Sequence, residues 1–193
     1  MDLKKFNFIK NKYGLHASWA IWGKQGDKPK SNMDDINFFD NEEVLLKLRP
    51  NIVLVGLNFS IDGVVLKPFQ NFHGSGGGAY KIRFALYDTS FWGAYMTDII
   101  KDFPEKESSN VMSFLKNNPS LVDNNIISFE QELKDIGSVD PLLVCFGNDS
   151  YDILKKNLAS KFKIIKVTHY SHYESKEKFR EKMLKIIEEN MAS

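Results

Sequence analysis

The sequence predicts an α/β fold. Helices cover both faces of a central, mainly parallel four-stranded sheet, giving a three-layer α/β/α sandwich over residues 1–193 as a single domain. Two observations lead there. Short apolar runs at 52–55, 91–96, 142–146 and 163–167 alternate with stretches of helical spacing. Each run is also closed by polar groups, namely Asn58, Asp98, Asn148 and His169, where the carboxyl ends of parallel strands would converge on one rim.

The run at 52–55, Ile-Val-Leu-Val, has three β-branched residues and is too short for a helix, so it suits a strand buried on both faces. Gly56 ends it, and Asn58 and Ser60 follow. Taken alone, 56–60 is better read as a tight strand-to-loop turn than as a pocket mouth. Upstream, 18–22 is a short strand or extended edge, with Trp19 and Trp22 read as packing residues rather than a base-stacking platform. Residues 26–35 carry Pro29 and read as loop. Asp40 or Asn41 caps a helix with Glu42 and Glu43 in its first turn, Val44, Leu45 and Leu48 on its buried stripe, and Pro50 as its stop.

Residues 61–78 form a long irregular excursion, a length that is uncommon in compact domains and often functional. A helix at 79–87 turns Ile82, Ala85 and Leu86 inward. The second strand, 91–96, ends at Thr97-Asp98. Short helices follow near 108–115 and from Pro119 to about Ile136, where Gly137 is the stop signal. The third strand, 142–146, leads through Gly147-Asn148 into a helix ending near Leu158. The fourth, 163–167, leads into a final helix at about 175–189 whose Phe179, Met183, Ile186 and Ile187 form one stripe.

With 193 residues the chain can bury a sizeable core, and 42% apolar and 26% charged residues are ordinary for a globular protein. The net charge of +1 supplies no global basic field, although a local patch would suffice for nucleic acid. Cys145 is the sole cysteine, so an internal disulfide and a cysteine-rich zinc site are excluded. Its apolar run predicts a buried, inert thiol. The amino terminus lacks the apolar core of a signal peptide, and no run approaches the roughly 20 residues that span a bilayer, so the expectation is a cytoplasmic protein without a membrane partner.

Several motifs dissolve on inspection. Gly74-Ser75-Gly76-Gly77-Gly78-Ala79 fits a loose dinucleotide pattern, but no buried strand precedes it, so it reads as a glycine loop or a lid. His169 and His172 are too few for zinc, and no G-x-S-x-G elbow accompanies Ser171. Asp98 reads either as the cap of residues 99–102 or as a general base.

Three blocks, in order, resemble the uracil-DNA glycosylase superfamily. Val53-Leu54-Val55-Gly56-Leu57-Asn58 is similar to its first motif in the asparagine form of the thymine and mismatch-specific branch. Residues 142–151 resemble the strand, glycine and helix before the last strand. Val167-Thr168-His169-Tyr170-Ser171 resembles the last motif. Tyr95 to Lys101 is similar to the second-strand end of some divergent members. Where the family has prolines after the asparagine and the histidine, this chain has Phe59 and Tyr170.

The resemblance implies a glycosylase-like sandwich that hydrolyses the bond between a damaged or mismatched base and deoxyribose in DNA. Such an enzyme extrudes the base into a pocket and needs no metal or organic cofactor. It implies that Asn58 orients water, that His169 donates to the departing base, and that Asp98 is the third catalytic group. Phe59, Phe72 and Asn148 would hold the base, with Phe72 stacking on it, and Ser60, Tyr170 and Ser171 would hold DNA. A monomer is expected. Two other readings stay open: a catalytically inactive nucleobase or nucleic-acid binder on this fold, and a hydrolase of small nucleoside-like molecules.

Overall fold

A computed structural model describes residues 1–59, 67–74, 76 and 78–191. Its elements run α1 (Leu3–Tyr13), β1 (Ser18–Trp19), two 3-10 helices (Asn37–Asp40 and Glu42–Lys47), β2 (Arg49–Asn58), α2 (Tyr80–Leu86), β3 (Ala94–Ile100), α3 (Ser108–Asn117), α4 (Pro119–Ile136), β4 (Leu142–Phe146), α5 (Asn148–Leu158), β5 (Lys163–Val167) and α6 (Lys176–Met191). The sheet order is β1-β3-β2-β4-β5. β2 pairs in parallel with β3 and with β4, β4 pairs in parallel with β5, and β1 lies antiparallel on β3.

The sheet therefore has five strands, not four. The fifth is the two-residue edge Ser18–Trp19, whose side chains are both buried. Its brevity explains why the region shows no alternation: the chain contributes two bridges, and Ala20 then adds backbone hydrogen bonds to Gly93 and Ala94 beside the start of β3.

Side chains alternate across the sheet with period two. Val53, Val55, Tyr95, Leu143, Cys145 and Ile164 pack beneath α1, α3, α4 and α5. Leu54, Met96, Val144, Phe146, Ile165 and Val167 pack beneath α2 and α6. The expectation that β2 is buried on both faces holds, since Val53, Leu54 and Val55 are all wholly buried. Burial also pushes the Cys145 thiol up to about 12, in keeping with an inert packing residue.

On the first face, Glu132 of α4 is the one wholly buried carboxylate of that layer among the described residues. It accepts from the Tyr95 hydroxyl at 2.7 Å and Thr97 Oγ1 at 2.9 Å, and pairs with Lys101 Nζ at 2.7 Å. Lys101 Nζ also donates to the Asp98 carbonyl at 2.7 Å, which ties the end of β3 to the helix layer.

The helices α4, α5 and α6 and the strands β4 and β5 lie where the apolar pattern places them, and Gly137 caps α4 in the left-handed region at φ 75°. Other expectations are corrected. The helix expected from Asp40 or Asn41 to Leu48 is the second 3-10 helix, Glu42–Lys47, and a first one at Asn37–Asp40 precedes it. Asn41 still caps the second by accepting from the Glu43 amide at 2.9 Å, but Arg49 and Pro50 already belong to β2. A proline is tolerated there because it sits near the strand's beginning, where no ladder hydrogen bond is lost. α1 was not expected. It is marginal as a pattern, with Phe6, Ile9 and Tyr13 buried and Asp2 accepting from the Lys5 amide at 2.7 Å as cap. β3 starts at Ala94 rather than Phe91, because Thr89 to Trp92 form turns, and it continues two residues past Asp98. Asp98 therefore does not cap 99–102. Among the described residues no helix is long and apolar enough to cross a membrane.

Candidate functional site

The connection from β2 through α2 places β3 on one side of it, and the connection from β3 through α3 and α4 places β4 on the other. In open α/β sheets this reversal splays the two crossovers apart and leaves a crevice beyond the carboxyl ends of the strands. A polar cavity of about 460 Å³ lies there, within the size range of small-ligand sites. Asn58, Asp98, Asn148, His169, Tyr170 and Ser171 all line it, so six of the nine residues expected at a site come together.

Three do not. Ser60 lies outside the described residues. Phe59 packs edge-on against His16, with ring centroids 4.8 Å apart, and its amide donates to the Ile100 carbonyl at 3.1 Å. Phe72 is buried in the cluster beneath α2 and α6, held at φ 67°. Neither ring lines the cavity, because the chain after β2 turns Phe59 toward the opposite layer and the 69–73 turn drives Phe72 into the core. The aromatic walls are Phe146 and Tyr170, whose rings meet perpendicularly at 5.1 Å.

Asp98 projects from β3 beside Gly56, its register partner on β2. A Cβ on Gly56 would lie 2.1 Å from Asp98 Oδ1, so only glycine lets the carboxyl group lie across the neighbouring strand. The side chain is 5% exposed. Its Oδ2 accepts from Asn71 Nδ2 at 3.0 Å, and Asn71 is itself anchored to the His16 carbonyl at 2.6 Å. Burial raises the Asp98 pKa to about 7, against the opposing influence of the Asn71 hydrogen bond and the Lys101 charge. Asn71 lies within the irregular stretch 61–78, and nothing in its sequence neighbourhood signals that it orients a carboxyl group contributed 27 residues later.

This geometry predicts that Gly56→Ala costs about 1–3 kcal/mol of stability, the usual cost of overpacking. It also displaces the Asp98 carboxyl group. Urea unfolding checks the first effect. An NMR titration of the Asp98 carboxyl carbon checks the second, and an unchanged titration midpoint would contradict this packing.

Asn58, at the tip of β2, uses its Nδ2 to donate to the Glu105 carbonyl at 2.7 Å and to the Phe59 and Phe103 carbonyls at 3.3 Å. It thereby fixes the segment between β3 and α3 that brings Lys106, Glu107 and Ser108 to the rim. Its Oδ1 receives no hydrogen bond from a described residue and remains an acceptor.

His169, just beyond β5, has a determined tautomer. The Ser171 amide donates to Nδ1 at 3.2 Å, and Ser171 Oγ lies 2.7 Å from the same atom. Nδ1 is thus an acceptor, and the neutral ring carries its proton on Nε2. The ring stacks on Tyr170 at 4.3 Å, and burial lowers its pKa, so it is neutral at pH 7. Burial, and then the Asp98 charge, raise the pKa of the Tyr170 phenol, which places that ring close to the carboxyl group.

Gly147 makes the turn from β4 into α5 at φ 85° and ψ −175°, a region essentially confined to glycine, and so aims the amino end of α5 at the cavity. The amino end of α3 opens onto it as well, and both dipoles add positive potential there. Asn148 is exposed at this rim, where its Oδ1 accepts from Lys166 Nζ at 3.0 Å.

The fold and the site together define an α/β protein with a polar cavity at the reversal point of a mostly parallel sheet. Compared with models of protein families, with curated proteins and with solved structures, the chain matches none.

Proposed function

We propose that the chain is a DNA glycosylase on a uracil-DNA glycosylase-like sandwich, hydrolysing the bond between a damaged or mismatched base and its deoxyribose. One observation carries the reading. A single cavity holds a buried carboxyl group titrating near neutrality, a neutral imidazole with its proton on Nε2, and an amide oxygen without a described donor.

The chemistry needs those three groups. As the glycosidic bond breaks, its electron pair leaves with the base and positive charge develops at the anomeric carbon. His169 Nε2–H donates to the oxygen that gains charge on the base, which stabilises the departing anion. The Asp98 carboxylate takes one proton from the attacking water as its oxygen joins the anomeric carbon. Asn58 Oδ1 accepts the water's other hydrogen and orients it. The released anion takes up a proton from solvent and Asp98 gives up its own to solvent, so the products are the free base and an abasic sugar. Tyr170 and Phe146 supply the aromatic surface for the extruded base, and Ser171 and the amino end of α3 meet the flanking phosphates.

A protein that only held a base would gain nothing from a carboxyl group kept near neutrality at a cost in stability. The test is incubation of the pure protein with oligonucleotides carrying uracil, hypoxanthine or a mismatched thymine, followed by alkaline cleavage at abasic sites. Strand scission on at least one substrate is expected. No abasic product on any of them, where a known glycosylase acts, would overturn the proposal.

A further inference from the structure

A second cavity, of about 650 Å³, opens at the other end of the sheet. Trp22 reaches it from just past β1, Lys47 from just before β2 and Trp92 from just before β3, while Arg83, Phe84 and Tyr87 reach it from α2 and its end. The 10-residue strand β2 separates it from the first cavity by roughly 30 Å, at about 3.3 Å per residue.

Its wall combines two chemistries. Trp92 lies 5.6 Å from Trp22 and meets Tyr87 at 5.7 Å and 88°, with Tyr87 65% exposed. Lys24, Lys47, Lys176 and Arg83 stand around these rings, and among the described residues no carboxylate lines the cavity. The chain as a whole carries 26 basic and 25 acidic residues, so four cations without an anion on one wall is a local concentration of charge. The nearest offsets lie outside the wall: Glu177 pairs with Lys176 at 2.7 Å, and Asp35 sits behind Gly23.

Arg83 is 3% exposed, and its guanidinium holds the loop above it, donating to the Pro29 carbonyl at 2.5 Å and the Ser31 carbonyl at 2.9 Å. Its Nε and the indole Nε1 of Trp22 are buried, and no described residue offers either an acceptor. Buried donors left unmatched are costly, so this wall holds polar groups that the fold itself leaves without a described partner.

We propose that this cavity binds a nucleoside phosphate: a planar heterocycle against Trp92 and Tyr87, and a phosphate among Lys24, Lys47 and Arg83. Every nucleobase offers a face for stacking, and an indole beside lysines suits an aromatic anion better than a sugar or an aliphatic acid. The site is independent of the glycosylase reading and uses none of its residues.

Two of the chain's three tryptophans line this cavity and the third, Trp19, is wholly buried, so indole emission reports on it directly. Titration with adenosine monophosphate, and separately with a short single-stranded oligothymidylate, should give saturable quenching by at least one of them. The double variant Lys24→Ala/Lys47→Ala, at two exposed positions, should weaken binding by about tenfold or more, and Trp92→Ala by a similar factor. Stronger binding of the oligonucleotide identifies a nucleotide within a strand as the occupant, and comparable or stronger binding of the monophosphate identifies the free nucleotide. No quenching by either probe, undiminished affinity in the variants, or equal quenching by inorganic phosphate alone would overturn the proposal.

Discussion

Asp98→Asn is expected to abolish base release and to make the protein more stable. The first effect follows from removing the group that takes the water's proton, worth about 10²–10⁴ in rate. The second follows from burial. The rise of the Asp98 pKa from 3.8 to about 7 means that the folded protein holds a proton that the unfolded chain has already released. Between about pH 4 and pH 7 the native state therefore binds more protons, and stability falls as pH rises through that window. The full effect, reached above pH 7, is of order 4 kcal/mol. Asparagine cannot ionise and keeps an oxygen for Asn71, so the variant escapes this loss. Urea unfolding at pH 5 and pH 8 measures it: the variant's advantage should grow with pH. The rate of the parent protein should rise with pH and level off above about 7, because the carboxylate is the active form. A variant that is less stable than the parent at pH 8, or that retains activity, would show that Asp98 is structural.

The sequence made the sheet legible because its buried strands are written as unbroken apolar runs. Leu142 to Phe146 coincides with β4, and Ile52 to Val55 marks the buried centre of β2, which runs three residues further at each end, since no other environment suits such runs. β1 was legible only as a short strand or edge somewhere in 18–22, because two residues against an edge carry too little pattern to fix its bounds, and α1 was not legible because Phe6, Ile9 and Tyr13 alone form its buried stripe. The 3-10 turns at 37–47 have a helix's cap and charges but not its length, so periodicity cannot distinguish them from one. At the site, the residues at strand tips were found because topology alone brings tips together. Phe59 and Phe72 were misplaced because rings on irregular segments follow turn geometry, here a positive φ at Phe72, which no spacing rule encodes. Asn71 and the crossing of Asp98 over Gly56 are contacts between neighbouring strands and a loop, invisible until the register is known.

His169→Ala should lower the single-turnover rate by about 10²–10³-fold, as removal of one oxyanion donor does elsewhere. The argument rests on where its proton lies. The Ser171 amide donates to Nδ1, so the neutral ring presents Nε2–H, and burial keeps the ring neutral at the pH where Asp98 is ionised. A donor to the departing base matters in proportion to the charge that base must carry. The loss should therefore shrink when the substrate carries a fluorinated uracil, whose anion needs less help, and remain large for uracil itself. Ser171→Ala removes the hydroxyl and keeps the amide that sets the tautomer, so its effect should be the smaller. A His169→Ala rate within a few-fold of the parent's, or a loss indifferent to the leaving base, would place the imidazole outside the reaction and leave it as a packing partner of Tyr170.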